Sequence, residues 1–270
     1  MFWRRKELLD YFERNERYAA PMLGNLLSAG FMNLPGRLRC GDYFFVRRDG
    51  ELYGVAAIFN DGNMMVCLSA PWTEEILNLT AAMDWHTLWD YSFEPSVGLR
   101  LKSIPGVYEL RPLILMERDT AAPLSPIPES IEIIRADMAP GDPGVTLFIR
   151  DCMRECFSFD PDMRAVRKRL TERTRDEWYL IGAVNGVRAA QAHIQAWTPR
   201  YGVIGGVGTL RLYRGRGLAR AVTTRLCSYI EESGRVPILT VDRGNETAIA
   251  LYRSLGFREV NQTFACHRRT

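Results

Sequence analysis

Apolar residues Leu218, Val222, Leu226, Cys227 and Ile230 recur at three- and four-residue steps, which places them on one face of an amphipathic helix. Ahead of that helix, Tyr201 to Leu210 reads as a strand with several glycines, a composition that lets a strand bulge or splay. Beyond it, Val236 to Val241 is a short apolar run of buried-strand type. Asn245 then stands where a helix N-cap belongs, before an Ala-rich helix that ends near Gly256. Alternation over Val187 to Ala196 predicts a further strand with Gln191, His193 and Gln195 on one face, lining a cavity or facing water. In the first half the pattern predicts helices over Lys6–Tyr18 and Ala20–Ala29, then strands over Tyr43–Arg47, Tyr53–Asn60 and Met64–Leu68. Asp49-Gly50 is the tight-hairpin signal between the first two strands. A helical stretch over Glu74–Leu88 and a strand over Tyr108–Met116 follow.

The segment Asp119 to Pro128, rich in proline and small residues, is the clearest boundary. It implies an N-terminal α+β domain over 1–122, a linker over 123–130 and a second domain over 131–270. A chain of 270 residues, 47% hydrophobic and 25% charged, is long enough for two such domains. A net charge of +3 gives no argument for nucleic acid, and the basic run Arg164 to Arg175 is interleaved with apolar positions like a solvated helix face. Six cysteines in a chain of this length do not make a disulfide framework, and no second ligand pair accompanies Cys152 and Cys156 at zinc spacing. The basic start Met1 to Lys6 lacks the apolar core of a signal peptide, and no apolar run is long enough to span a membrane. The expectation is a cytoplasmic protein with free thiols, no metal and no membrane partner, acting as a monomer or homodimer.

The chemistry concentrates between the glycine-rich strand and the amphipathic helix, in Arg214-Gly215-Arg216-Gly217-Leu218-Ala219. Glycines allow main-chain N–H groups to approach a phosphate, and a helix N-terminus adds free N–H groups and roughly half a unit of positive charge. The Gly-Lys-Ser/Thr ending of a P-loop is missing. Arg220 stands where a dinucleotide fingerprint needs its third small residue.

Arg214, Gly217 and Ala219 fill the places of Arg/Gln-x-x-Gly-x-Gly/Ala, and Asn245, Ala248, Leu251, Tyr252, Gly256 and Phe257 match a later Asn…Ala…Leu-Tyr…Gly-Phe motif. Over about residues 130 to 270 the chain thus resembles the GNAT superfamily of acyl-CoA-dependent N-acyltransferases. The resemblance implies an α+β fold of α/β type, a mixed twisted sheet flanked by helices, with two strands splayed around the pantetheine arm. The first half, by its element order, resembles a degenerate and non-catalytic copy of the same fold, as in tandem members. The resemblance also implies acetyl-CoA or another acyl-CoA as co-substrate. Val207, Thr209 and Leu210 would then lie along pantetheine, with Arg214, Gly215, Arg216, Gly217, Leu218 and Ala219 around the phosphates and Asn245 and Tyr252 completing the donor site. The reaction would be direct attack of an amine on the thioester, with Tyr252 as general acid to the departing thiolate and a backbone N–H near Val207 polarising the carbonyl.

Many members carry a glutamate on the strand before the phosphate loop, whereas Tyr201 to Thr209 has no acid. An alkylammonium, with a pKa near ~10, must still lose its proton before it attacks. Asp160 or Asp162 could relay that proton with Phe157 and Phe159 as apolar walls, although Ser-x-Asp-Pro-Asp is equally a helix-start signal with proline at a first helical position. His193 is a candidate lining residue. The acceptor expected is a small-molecule amine or amino-acid-like compound. Two other classes stay open: a non-catalytic acyl-CoA-binding or sensing protein, and an aminoacyl-tRNA-dependent transferase.

Overall fold

The computed structural model describes residues 2–92, 100–173 and 175–269; Met1 of the basic start lies outside them. Two compact units emerge. One comprises Met1–Glu117 with Thr240–Ala250 and Arg258–Thr270, and the other Arg118–Leu239 with Leu251–Phe257.

In the first unit, α1 (Phe2–Arg14) and α2 (Glu16–Ala29) precede an antiparallel meander of β1 (Gly41–Arg48), β2 (Glu51–Phe59) and β3 (Asn63–Leu68). Helix α3 (Glu74–Ala82) then leads to β4 (Thr87–Asp90), parallel to β3. Strands β11 (Phe257–Arg268) and β5 (Val107–Arg118) extend the order β1-β2-β3-β4-β11-β5. The Asp49-Gly50 turn has φ of 51° and 84°, the twin positive values that a two-residue type I′ hairpin needs. The helix expected over Glu74–Leu88 stops at Ala82, because Thr87–Asp90 is drawn into strand pairing by β3 on one side and β11 on the other. Tyr11, Phe12, Met22 and Leu26 pack on one sheet face, and Trp72, Ile76, Trp85 and Leu88 on the other.

The second unit repeats that order. Helices α4 (Pro143–Phe157) and α5 (Met163–Thr171) precede the antiparallel strands β7 (Tyr179–Val184), β8 (Val187–Trp197) and β9 (Tyr201–Thr209), with β6 (Ile131–Arg135) outside β7. Helix α6 (Leu218–Glu232) then leads to β10 (Val236–Asp242), parallel to β9, and α7 (Glu246–Ser254) follows. Asn185-Gly186 turns β7 into β8 with φ of 50° and 75°. Each hairpin also slips register at one residue three places after its turn glycine, Tyr53 in the first unit and Ala189 in the second.

Phe148, Ile149, Cys152, Val166 and Leu170 bury α4 and α5 against Tyr179 and Ile181, while Leu218 and Ala221 bring α6 against Ala189 and Ala190. The stripe Leu218, Val222, Leu226, Cys227 and Ile230 is fully buried, as its spacing predicts, at roughly 1.5–3 kcal/mol for each large aliphatic side chain. Arg118, 2% exposed, fixes the start of the boundary segment, donating from Nε to the Leu255 carbonyl at 2.9 Å and pairing with Glu231 and the Ala122 carbonyl. Among the described residues no helix is long and apolar enough to cross a membrane.

Candidate active site

The site is built from β9 outward. Gly202 lies under Ile230 of α6, where a Cβ would come within 2.7 Å of that side chain. Gly206 holds φ +62°, and register with β8 slips there, Gln191 facing Gly208 but His193 facing Gly205. The strand therefore bulges where its glycines predict. Parallel pairing with β10 runs from Val236↔Tyr201 to Leu239↔Ile204, and of the residues that follow, Gly205, Gly208 and Thr209 pair with His193, Gln191 and Ala190 of β8. Val207 and Thr209 sit half-buried on that stretch, and Leu210 N donates to the Ala189 carbonyl at 2.9 Å.

A short 3-10 turn, Arg211–Tyr213, carries the chain to Arg214. Gly215 and Gly217 adopt φ of +76° and +79°, a region that L side chains rarely occupy, and added Cβ atoms would meet nothing closer than 4.0 Å. Conformation, not crowding, demands glycine here. Arg214 through Gly217 are exposed, and no side chain caps α6 at Gly217. The first N–H groups of Leu218, Ala219 and Arg220 are thus available to an anion. Arg214 Nε donates to the Thr209 carbonyl at 3.1 Å, and the Arg216 guanidinium lies 5.2 Å from the centroid of the Tyr213 ring.

Asn245 caps α7, its Oδ1 accepting from Ala248 N at 3.1 Å, and it groups with residues 240–250 in the first unit. Tyr252 belongs to the second unit. It is 6% exposed, with its ring 5.8 Å from Phe257, and burial followed by the neighbouring Cys227 thiol raises its phenol above the ordinary tyrosine range. A phenol so placed keeps its proton at neutral pH, the state a general acid needs.

Beneath α4 and α5 lies a second group of polar side chains. Tyr179, His193 and Gly205 form one row across β7, β8 and β9, and the Tyr179 and His193 rings stack at 4.9 Å and 18°. Tyr179 donates its hydroxyl to Gln191 Oε1 at 2.9 Å, while the Gln191 Nε2 is buried without a hydrogen-bond partner among the described residues. Cys156 lies beside β9, its Sγ 3.4 Å from the Thr209 carbonyl and 3.8 Å from Cys152 Sγ. The hydrogen bond with Cys152, aided by Arg214, pulls the Cys156 thiol below its ordinary range.

The acceptor-side expectations divide. Phe157 reaches β9, where its ring would touch a Cβ on Gly208 at 3.2 Å. Phe159 is 45% exposed and stacks under Arg169, and Asp160 is exposed. Asp162 caps α5 through Ala165 N at 2.6 Å, so Pro161 precedes the cap and does not occupy the first helical position. Sequence reasoning missed Tyr179, and it weighed Cys156 only as half of a zinc pair with Cys152. Alternation pairs Gln191 with His193, but the tyrosine across from them comes from another strand. Among the described residues no cluster of three or more His, Cys, Asp or Glu side chains is disposed to hold a metal.

The FR47-like protein family model matches residues 180–266, the span from β7 through β11. A GCN5-related N-acetyltransferase from Sphaerobacter thermophilus superposes with a TM-score of 0.58 at 21% identity, covering 86% of this chain and 81% of that one. Another from Kribbella flavida gives 0.59 at 15% identity and 94% of both chains. This is the GNAT fold. A tandem GNAT protein from the clavulanic acid biosynthesis pathway is also similar, with a TM-score of 0.54 and 15% identity over 92% of this chain and 87% of that one. No match was found among curated proteins. Within the GNAT fold, the bulged β9, the glycine turn and α6 stand in the order that the motif Arg214, Gly217, Ala219 implies.

Proposed function

We propose that the chain is an acyl-CoA-dependent N-acyltransferase, with acetyl-CoA the favoured donor and a small-molecule amine the acceptor, acting in the cytoplasm as a monomer or homodimer. One observation carries the reading: the exposed turn Arg214–Gly217, with two glycines at positive φ, opens onto the uncapped N-terminus of α6 directly after the edge of the bulged strand β9. Val207, Thr209 and Leu210 would hold the pantetheine arm on that edge, and the turn from Arg214 to Ala219 would bind the phosphates through N–H groups and two guanidinium charges. The Val207 N–H would polarise the thioester carbonyl. Tyr252 would protonate the departing thiolate, and Asn245 would hold α7 in place through its cap.

Isothermal titration with acetyl-CoA and CoA tests the donor site, on wild type and on Gly217→Glu. Micromolar affinity lost in the variant supports the reading, and no binding by the wild type overturns it. CoA release across an amine panel then tests turnover. The absence of any acid on Tyr201–Thr209 favours one rival, a protein that binds acyl-CoA without transferring it. That rival predicts tight binding and no CoA release with any amine.

A further inference from the structure

The strand that lacks an acid is the strand on which an imidazole lies. A Cβ built on Gly206 would sit 2.4 Å from His193 Cε1 and 2.6 Å from its Nδ1. One built on Gly205 would meet Gln195 Oε1 at 2.7 Å and His193 Nε2 at 3.4 Å. β9 therefore has no room for a side chain of its own at its bulge, because β8 fills that space with the His193 ring. The ring is also held from its other side, by the stacked Tyr179, whose hydroxyl is engaged with Gln191. Burial raises the Tyr179 phenol above its ordinary range, so this neighbour stays neutral. Arg173 lies over the Tyr179 ring, its guanidinium 5.2 Å from the ring centroid. The imidazole ends up half-buried, one residue before Val207.

We propose that His193 is the proton acceptor of the transfer reaction. The assignment rests on the acyl-transfer reading above and adds to it the group that frees the amine. One ring nitrogen takes a proton from the acceptor ammonium, directly or through one water. The freed lone pair attacks the thioester carbon, and the C–S bond breaks as the C–N bond forms. Tyr252 protonates the departing thiolate, and the second proton lost by the attacking nitrogen restores the phenol through water. Imidazolium then releases its proton to solvent, so the sum is one amide, one thiol and one proton. Asp162 accepts the capping bond of its helix and Asp160 is exposed, whereas His193 lies against the bulge itself.

The test compares two acceptors whose amines differ in protonation at neutral pH: the best primary alkylamine of the panel, an ammonium ion, and methoxyamine, already neutral. His193→Gln keeps a side chain of similar reach that takes no proton. It should lower kcat/KM with the alkylamine by about 100-fold, the lower range of general-base catalysis, and with methoxyamine by less than about 3-fold. His193→Ala should behave alike and regain alkylamine turnover when free imidazole is added. Unchanged acetyl-CoA affinity in both variants shows an intact fold. Equal losses on both acceptors, or no rescue by imidazole, overturn the assignment while leaving acyl transfer standing. A wild type that releases no CoA with any amine overturns acyl transfer and the assignment with it.

Discussion

The chain runs the same course twice, and the two passages differ where strand gives way to helix. In the second unit β9 pairs with β10 over Tyr201–Ile204, bulges at Gly206 and ends in an exposed turn with two guanidinium groups and two left-handed glycines. In the first unit β3 pairs with β4 from Asn63↔Thr87 to Val66↔Asp90, and bonding continues past that point. Tyr91 N donates to the Val66 carbonyl at 2.7 Å, and Leu68 N donates to Ser92 Oγ at 3.0 Å. The connection to α3 then buries Trp72, whose Nε1 reaches Asp90 Oδ1 at 3.4 Å. Thr73 caps that helix and Glu74 and Glu75 occupy its first turn, so its positive end already faces carboxylates. Backbone pattern sets the shared architecture, while a few residues at one strand end decide whether a slot and an anion site exist. We propose on that ground that the first unit binds no acyl-CoA.

The largest expected effect tests whether the second unit alone does chemistry. Tyr252→Phe removes the proposed acid and should lower kcat by about 100- to 1000-fold with little change in acetyl-CoA affinity, read from CoA release and titration. An unchanged kcat would remove Tyr252 from the mechanism. Next comes the phosphate turn. Gly217→Glu places a like charge and a Cβ at φ +79°, and should weaken acetyl-CoA binding by about 100-fold, or ~2.7 kcal/mol. Glu75→Lys on α3, which reverses charge at the corresponding helix start of the first unit, should change that affinity by less than about 3-fold. A larger change would show that the first unit contributes to the donor site.

Asp90 carries the comparison into stability. Burial raises its carboxyl to about 6, against the hydrogen bonds from Ser92 and Trp72. Because the folded value lies above that of an ordinary aspartate, Asp90 stabilises the protonated native state below about pH 4. That contribution is lost as pH rises toward about 6, amounting to roughly 2–3 kcal/mol. Asp90→Asn keeps the acceptor oxygen and discards the charge. Its denaturation midpoint should exceed that of the wild type at pH 7.5, and the gap should close near pH 4. A gap independent of pH would contradict the assignment.

Much of this was legible in the sequence, and what was not has a common cause. The α6 stripe, the Asp49-Gly50 hairpin, the Asn245 cap and the glycine turn are local: each follows from residues within a few positions of one another. β4 and β11 are not, because Thr87–Asp90 becomes a strand through partners on β3 and β11, and Asp90 to Phe264 is a pairing across most of the chain. The same holds at the site. Alternation puts Gln191 and His193 on one face, but that His193 lies over Gly206 depends on a bulge in β9, and that it is stacked depends on Tyr179 in β7. Arg118 looks like the last residue before a loose linker until its buried partners, Leu255 and Glu231, are seen to come from much later in the chain.

The smallest effect probes the bond that closes the first unit's slot. Ser92 Oγ accepts from Leu68 N and donates to Asp90 Oδ1 at 2.6 Å, while Ser92 N donates to the same oxygen at 3.1 Å. Ser92→Ala leaves a buried N–H without its acceptor and should cost about 1–2 kcal/mol in denaturation at neutral pH. The hydroxyl is also the strongest influence holding the Asp90 carboxyl down, so its removal should move the pH-dependent loss of stability above pH 6. Acetyl-CoA affinity should stay within about 3-fold, since opening this slot supplies neither glycine turn nor guanidinium. A new, weak acetyl-CoA site in Ser92→Ala would mean that the sealed strands, and not the missing turn, keep the first unit from binding the donor.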